Sequence, residues 1–329
     1  MQAARAKATQ QRQLAKAQKV TFKEAWDAYV STRENHVTKP LAPRTIKDLE
    51  SHLRRSFGQW HDMPLTSVTQ DAIKDKHALL IQKSGNAQAN QAMRYLRAVL
   101  NWAMNQPEYA VSLPSNPVAT LTKDKRWAEV KPNEQSLLKQ QLKDWFNAVA
   151  LIENPVPKAY FQFVLLTGCR REEALSLKWE DVDLRWRSLT FYGTKNGDDR
   201  VIPLTNYVLQ LVTSLPRRNQ WVFSSPTSTD GRMREPAKFI KKIAEKTGID
   251  ISSHGLRKSF ATLSEWCELP DGAIKQIMGH KPSGVHERHY RHRPLDLLAM
   301  IHQRLEDWIL TEAGKEIVAL PMPGLKAVA

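Results

Sequence analysis

The sequence predicts a mainly α-helical protein with one small antiparallel β-sheet, an α+β chain split into a helical domain and a mixed one. Three observations predict this. Apolar residues recur at helical spacing over most of the chain. The period switches from 3.6 to 2 in the stretch that contains WEDVDL, SLTFYG and RVIPL. A stretch with Pro114, Pro117 and Pro132 separates one helical region from the next. With 329 residues the chain is long for one core and suits two.

Residues 1–19 hold Arg5, Lys7, Arg12, Lys16 and Lys19 with no acid and no apolar stripe, so they read as a basic arm or linker. Residues 20–110 read as a helical domain. Thr21 and Glu24 form a capping box, with Phe22, Ala25, Trp26, Tyr29 and Val30 on one face. Pro43 opens a second helix with Ile46, Leu49, Leu53 and Phe57 inward; its outer side carries Arg44, Lys47, Arg54 and Arg55. A third helix is expected from about Thr69 to Lys83. A fourth spans roughly Ala87–Asn105, with Met93, Leu96, Leu100 and Ala103 inward and Arg94 and Arg97 off that stripe. Residues 111–132 read as an interdomain linker whose Lys123, Lys125 and Arg126 suit a strap along a polyanion.

Residues 133–310 read as the mixed domain. Asn133 is the expected N-cap of a helix with Leu138, Leu142, Trp145 and Val149 on one face. A second helix is expected over Pro157–Leu166, followed by the three short strands. Asn196-Gly197 is a tight-turn signal that puts Lys195 at a hairpin tip. After Pro216 the chain reads as mostly helical, and residues 311–329 form a tail.

Lys and Arg number 49 against 34 Asp and Glu, a formal net charge of +15. Residues 1–130 hold 20 basic and 11 acidic side chains, leaving 29 and 23 for the rest, so both parts are basic. That balance favours a polyanionic partner, with a basic protein of no nucleic-acid role as the bland alternative. No apolar run approaches the ~20 residues of a membrane span, and the N-terminus lacks a secretory apolar segment. Cys169 and Cys267 make neither a disulfide framework nor a metal-ligand spacing, which suits a reducing cytoplasm.

Five places can carry chemistry. Arg170 follows Thr167-Gly168, in the first turn of a new helix where backbone N–H groups favour phosphate, and Glu173 one turn on can hold it. Lys195 is placed to reach a groove. His254 and Arg257 share a helix face at i and i+3 behind a capping Ser252 or Ser253. Gly279 closes a helix over Ala273–Met278 and His280 follows it. Tyr290 sits in HERHYRH, a polar and basic context unlike a core tyrosine. Each has an ordinary reading when taken alone: a surface ion pair, a loop lysine, an exposed tyrosine. His286, His289 and His292 recur every three residues, but no cysteine or carboxylate completes a ligand set, so no metal site is expected.

Together, in the order Arg170, Lys195, His254-x-x-Arg257, His280, Tyr290, these residues resemble the catalytic set of the tyrosine recombinases, the phage-type integrases. The carriers are TGCRREE, GTKNG, SHGLRKSFAT, IMGH and HYRH; Glu172 and Cys169 depart from the pattern at non-catalytic positions. The resemblance implies a helical core-binding domain, here 20–110, and a catalytic domain, here 133–310. It also implies site-specific cleavage and rejoining of double-stranded DNA through a 3′-phosphotyrosyl intermediate, integrating or excising a mobile element or prophage. Arg170 and Arg257, with His254 and His280, would neutralise the non-bridging oxygens. Tyr290, with an ordinary pKa near ~10, would attack with His254 as proton acceptor. Lys195 would protonate the 5′ leaving oxygen. Bond energy stays in the phosphotyrosine, so neither ATP nor any metal or cofactor is required. Four protomers on two duplexes are implied, the stripe Leu298, Ile301, Leu305, Trp308/Ile309 docking on a neighbour, with host or element-encoded DNA-bending factors as further partners.

Two rival readings are a type IB topoisomerase-like relaxing enzyme and an inactive DNA-binding accessory protein; a metal-dependent nuclease is a third. The N-terminus reads either as that of a two-domain recombinase or as a coupler behind an arm-binding domain, and the linker-like residues 1–19 favour the second.

Overall fold

Residues 20–131, 135–193, 199–280 and 293–317 are described by the computed structural model, and among them the chain is helical apart from one three-stranded sheet. The chain divides into two units between Pro132 and Asn133.

In the first unit, helix α1 (Phe22–Glu34) starts at the expected capping box: Thr21 Oγ1 accepts the Glu24 N–H at 3.2 Å and Glu24 accepts the Thr21 N–H at 2.8 Å. Pro43 opens α2 (Pro43–Phe57), Thr69 caps α3 (Gln70–Ser84), and α4 covers Asn86–Ala103. Phe22, Trp26, Phe57 and Trp60 pack with ring centroids 5.5–5.7 Å apart. Tilted and edge-on contacts of this kind add to the area that four large rings bury.

The stretch expected as a linker over 111–132 is largely part of this unit. Leu113, Val118 and Leu121 are buried in its core, and Ala119–Lys123 is a helical turn. Asn90 then holds Ala128 from both sides, donating to its carbonyl at 2.8 Å and accepting its N–H at 3.2 Å. Three apolar residues spaced irregularly around two prolines show no period, so the sequence pattern did not reveal the docking.

In the second unit the first helix is α5 (Leu142–Ala150). It starts later than expected: Leu138 is exposed and Leu137 takes the buried place, its N–H donating to Ser259 Oγ at 2.7 Å. Asn133 lies outside the described residues. Helix α6 (Pro155–Thr167) is buried almost all round, as a central helix must be. It is capped by Asn154 and stopped by Gly168 at φ +58°. After the short α7 (Arg171–Leu175) come β1 (Val182–Asp183), β2 (Ser188–Phe191) and β3 (Arg200–Pro203), antiparallel in the order β1-β2-β3, with Leu189 opposite Ile202.

Helix α8 (Asn206–Thr213) follows, then no helix up to α9 (Ala237–Thr247). The expectation of helix beyond Pro216 fails there because Pro226, Gly231 and Pro236 interrupt it. Among the described residues, helices α10 (Ser253–Ser264), α11 (Asp271–Met278) and α12 (Leu295–Glu312) follow.

The stripe expected to dock on a neighbour is buried at home. Leu298, Leu305 and Ile309 of α12 belong to this unit's own core, with Ile301 and Trp308 packed against it. An amphipathic face demands an apolar partner without saying which. Among the described residues, no helix is long and apolar enough to cross a membrane.

Candidate active site

The buried α6 ends at Gly168, whose left-handed backbone turns the chain sharply into Cys169 and Arg170. A Cβ at Gly168 would stand 2.6 Å from the Phe260 ring, so the turn needs a residue with no side chain. Arg170 then serves as N-cap of α7 rather than lying in its first turn. Glu173 takes both faces of it, accepting the Arg170 N–H at 2.8 Å and Nη1 at 2.7 Å. The remaining arm, Nη2, donates to the Gly279 carbonyl at 3.1 Å.

Helix α10 packs along α6 and is capped by Ser252, which accepts the Gly255 N–H at 3.1 Å. This frame leaves His254 exposed and buries Arg257, whose Nη1 donates to the Gly168 carbonyl at 2.6 Å. Arg257 is thus tied to the backbone just ahead of Arg170, and Arg170 to the turn that precedes His280. Gly279, at φ +71°, closes α11 as its sequence position predicts and presents His280, whose N–H donates to Lys275 at 2.9 Å. Arg170, Glu173, His254 and Arg257 line an open cleft of about 1420 Å³ with Phe191, Tyr192 and Trp221.

The electrostatics of the site are set by burial and by its arginine charges. Burial, then the Arg170 charge, lowers Arg257 to about 10. Burial followed by the charges of Arg257 and Arg170 lowers the His280 pKa, which favours the neutral ring. Burial pushes the Glu173 carboxyl up, but the Arg200 charge and the hydrogen bonds from Arg170 outweigh it and hold the group below its ordinary value. Burial lifts the Cys169 thiol to about 12, so it is an inert spacer. Guanidinium groups that disfavour one another's charge are relieved by a bound phosphate, which suits the cleft to a phosphodiester.

Of the residues expected from sequence, the fold brings together Arg170, Glu173, Arg257 and His280, with His254 on the same cleft. Lys195 and Tyr290 lie outside the described residues, as do His286, His289 and His292. Among the described residues no cluster of three histidine, cysteine or acidic side chains is placed to hold a metal. On the first unit, Arg44, Lys47, Arg54, Arg55, Arg94, Arg97, Lys123, Lys125 and Arg126 are all exposed. Arg44 pairs with Asp48 at 3.1 Å, and Arg94 lies over the Trp127 ring at 5.7 Å.

Two features escaped the sequence reading. Glu235 accepts Ser253 Oγ at 3.1 Å and Arg171 Nη1 at 2.8 Å, pinning the start of α10 to the start of α7. Arg200 is buried at the head of β3 against Glu173. Strand alternation carried that second signal, since Arg200 shares the inward parity of Ile202.

A profile of the phage integrase family matches residues 135–294, and one of the phage integrase core-binding domain matches residues 56–125. The prophage integrase IntF of Escherichia coli (strain K12) is 37% identical over 328 residues, covering 90% of this chain and 69% of that protein. The tyrosine recombinase XerA of Saccharolobus solfataricus is 28% identical over 124 residues, 38% of this chain and 42% of that protein. Among solved structures, a lambda integrase dimer bound to a COC′ core site superposes with a TM-score of 0.63 at 17% identity, covering 84% of this chain and 98% of that chain. The Tn1549 transposon integrase in complex with transposon right-end DNA gives 0.65 at 18% identity, covering 87% and 100%. These two likenesses establish the fold.

Proposed function

The chain belongs to the phage integrase family of tyrosine-type site-specific recombinases, and from that premise we propose that it cleaves and rejoins double-stranded DNA through a 3′-phosphotyrosyl intermediate on Tyr290. The observation that carries the proposal is the pair of guanidinium groups, Arg170 and Arg257, on a cleft that His254 also lines, with the His280 imidazole close enough to feel both charges. Arg170 and Arg257 neutralise the charge that grows on the non-bridging oxygens, and His254 and His280 add hydrogen bonds. His254 accepts the Tyr290 proton and Lys195 protonates the departing 5′ oxygen. Attack by a 5′-hydroxyl from a partner duplex rejoins the strand. The chemistry uses no metal and no cofactor.

The nine exposed cations of the first unit are proposed to grip the duplex backbone, positioning the protein without reading bases. Likeness to an integrase of a prophage supports integration or excision of a mobile element in a bacterial cytoplasm. A lambda integrase tetramer bound to a Holliday junction is among the similar folds and supports four protomers on two duplexes. DNA-bending factors remain part of the proposal as partners.

The test is covalent trapping on a nicked duplex carrying the crossover site, to be sought as an imperfect inverted repeat in the DNA flanking the encoding gene. Wild type is expected to form an adduct that survives denaturation. Tyr290→Phe should form none while binding DNA within about threefold of wild type, since only the phenolic oxygen is lost. An adduct mapped instead to Tyr192, which lines the same cleft, would overturn the assignment.

A further inference from the structure

Arg200 stands at the head of β3, and its side chain is 8% exposed. Its guanidinium is held on three sides. Nη2 donates to Glu173 Oε2 at 2.7 Å, Nη1 donates to the Met278 carbonyl, and the flat face lies 4.7 Å from the Phe191 ring centroid. Glu173 is the carboxylate that holds Arg170, and Met278 is the last residue of α11, just before the turn that presents His280. Arg170 returns to the same turn through the Gly279 carbonyl. Arg170, Glu173, Arg200 and the 278–279 backbone therefore form a closed circuit that ties α7, β3 and the end of α11 together.

A charged group this deeply buried is costly, and an apolar side chain would pack β3 against α11 without that cost. What an apolar residue cannot do is satisfy a carboxylate and a carbonyl at once. A planar fork with donors on both arms can, whereas an ammonium is a single point donor. Gly279 shows the same constraint from the other side, since a Cβ there would come within 2.9 Å of Arg200 Cδ. With its side chain 8% exposed and both arms engaged by Glu173 and the Met278 carbonyl, Arg200 has its donors turned to the protein.

We propose that Arg200 is a positioning residue for strand cleavage: by bridging Glu173 and the Met278 carbonyl it sets Arg170 and His280 in the mutual geometry that one phosphate requires. This rests on the reading of the cleft as a DNA-cleaving site. The same circuit anchors β3, which in sequence follows Lys195 by five residues, so two routes of action are distinguishable. Misplaced phosphate ligands slow cleavage whatever the leaving group. A misplaced Lys195 is excused when the 5′-bridging oxygen is replaced by sulfur, which needs no protonation.

The experiment uses the full chain and the same nicked duplex, in oxygen and 5′-bridging sulfur forms. Arg200→Lys keeps the charge and loses the fork; Arg200→Ala opens a space that free methylguanidinium can enter. We expect both variants to bind the duplex within about threefold of wild type. Adduct formation by Arg200→Lys should fall about 100-fold, the loss that a displacement of order 1 Å brings. Sulfur should not restore it, and millimolar methylguanidinium should restore at least tenfold to Arg200→Ala while leaving wild type unaffected. Adduct rates for both variants within threefold of wild type overturn the proposal, and restoration of Arg200→Lys by sulfur overturns the route through Arg170 and His280. If Arg200→Ala fails to fold, Arg200→Lys with a wild-type thermal midpoint and undiminished cleavage still overturns it. Absence of any adduct with wild type would sink the cleavage reading itself, whereas wild-type adducts with indifferent Arg200 variants sink this inference alone.

Discussion

Gly168 carries two constraints at one residue. Its φ of +58° is a conformation that costs a side-chain-bearing residue roughly 1–2 kcal/mol, and its carbonyl is the partner of the buried Arg257. Gly168→Ala would also drive a methyl into the Phe260 ring, an overpacking that typically costs about 1–3 kcal/mol. We expect the substitution to destabilise the chain by roughly 2–5 kcal/mol in urea unfolding, the sum of these two effects. Adduct formation should fall at least tenfold even at temperatures where the variant is fully folded, because the residue-168 carbonyl that holds Arg257 is displaced when the turn shifts. A variant of wild-type stability and rate would show that the turn tolerates a Cβ. By contrast Cys169, although adjacent to Arg170, is fully buried with its thiol pushed up to about 12, and nothing at this scale gives it a chemical task.

Helix α12 is the element that most changes meaning between sequence and fold. Beyond its apolar stripe it places two buried polar side chains. Glu306 caps α8 from outside, accepting the Tyr207 and Val208 N–H groups at 2.8 and 3.1 Å and bonding Thr205. His302 bonds the Leu166 carbonyl at 2.7 Å, just before the Gly168 bend. Burial lowers the His302 pKa to about 4. The folded state therefore holds this proton less tightly than the unfolded chain, whose imidazole titrates near ~6.5. Between those two values the unfolded state binds more protons, so stability falls as pH drops through the window. The contribution is on the order of 3 kcal/mol when fully expressed. Urea unfolding of the wild type between pH 7 and 4.5 should show a steeper loss than His302→Gln, which keeps a donor for Leu166 and removes the titration. Since every other group is common to both proteins, parallel curves would rule out His302 as the source.

At the scale of the molecule, basic residues outnumber acidic ones in both parts of the chain. Each Lys or Arg that neutralises a DNA phosphate releases condensed counterions, and log affinity then falls against log salt by roughly 0.9 per phosphate contacted. If the cations of the first unit and the arginine cluster of the second engage one duplex, the slope should be steeper than about −4, and salt should act on matched and unrelated duplexes alike. Filter binding across a salt series measures this. A nearly flat line would mean that the exposed cations of the helical unit are a solvated surface. Charge-reversal of Arg54 and Arg55 together should make the slope shallower by about 2 without altering adduct chemistry on bound DNA.

Much of this protein was determined locally and could be read locally. Thr21, Thr69 and Ser252 start helices because a side-chain oxygen satisfies an N–H three residues on, and Gly279 ends one because it tolerates positive φ. His254 and Arg257 fall on one face because of helical period alone, and the strands follow from alternation. The order of Arg170, His254, Arg257 and His280 is likewise written in the chain, so the family and its chemistry were visible before any contact was known. The tertiary structure alone decided the rest. It decided that α12 buries its stripe at home, that Leu113, Val118 and Leu121 join the helical unit, and that Leu137 rather than Leu138 turns inward. It also decided that Arg200 closes the circuit around Glu173. The physical reason is common to all four: periodicity and capping depend on residues a few positions apart, whereas the partner of a buried face or charge is set by which distant surface arrives against it.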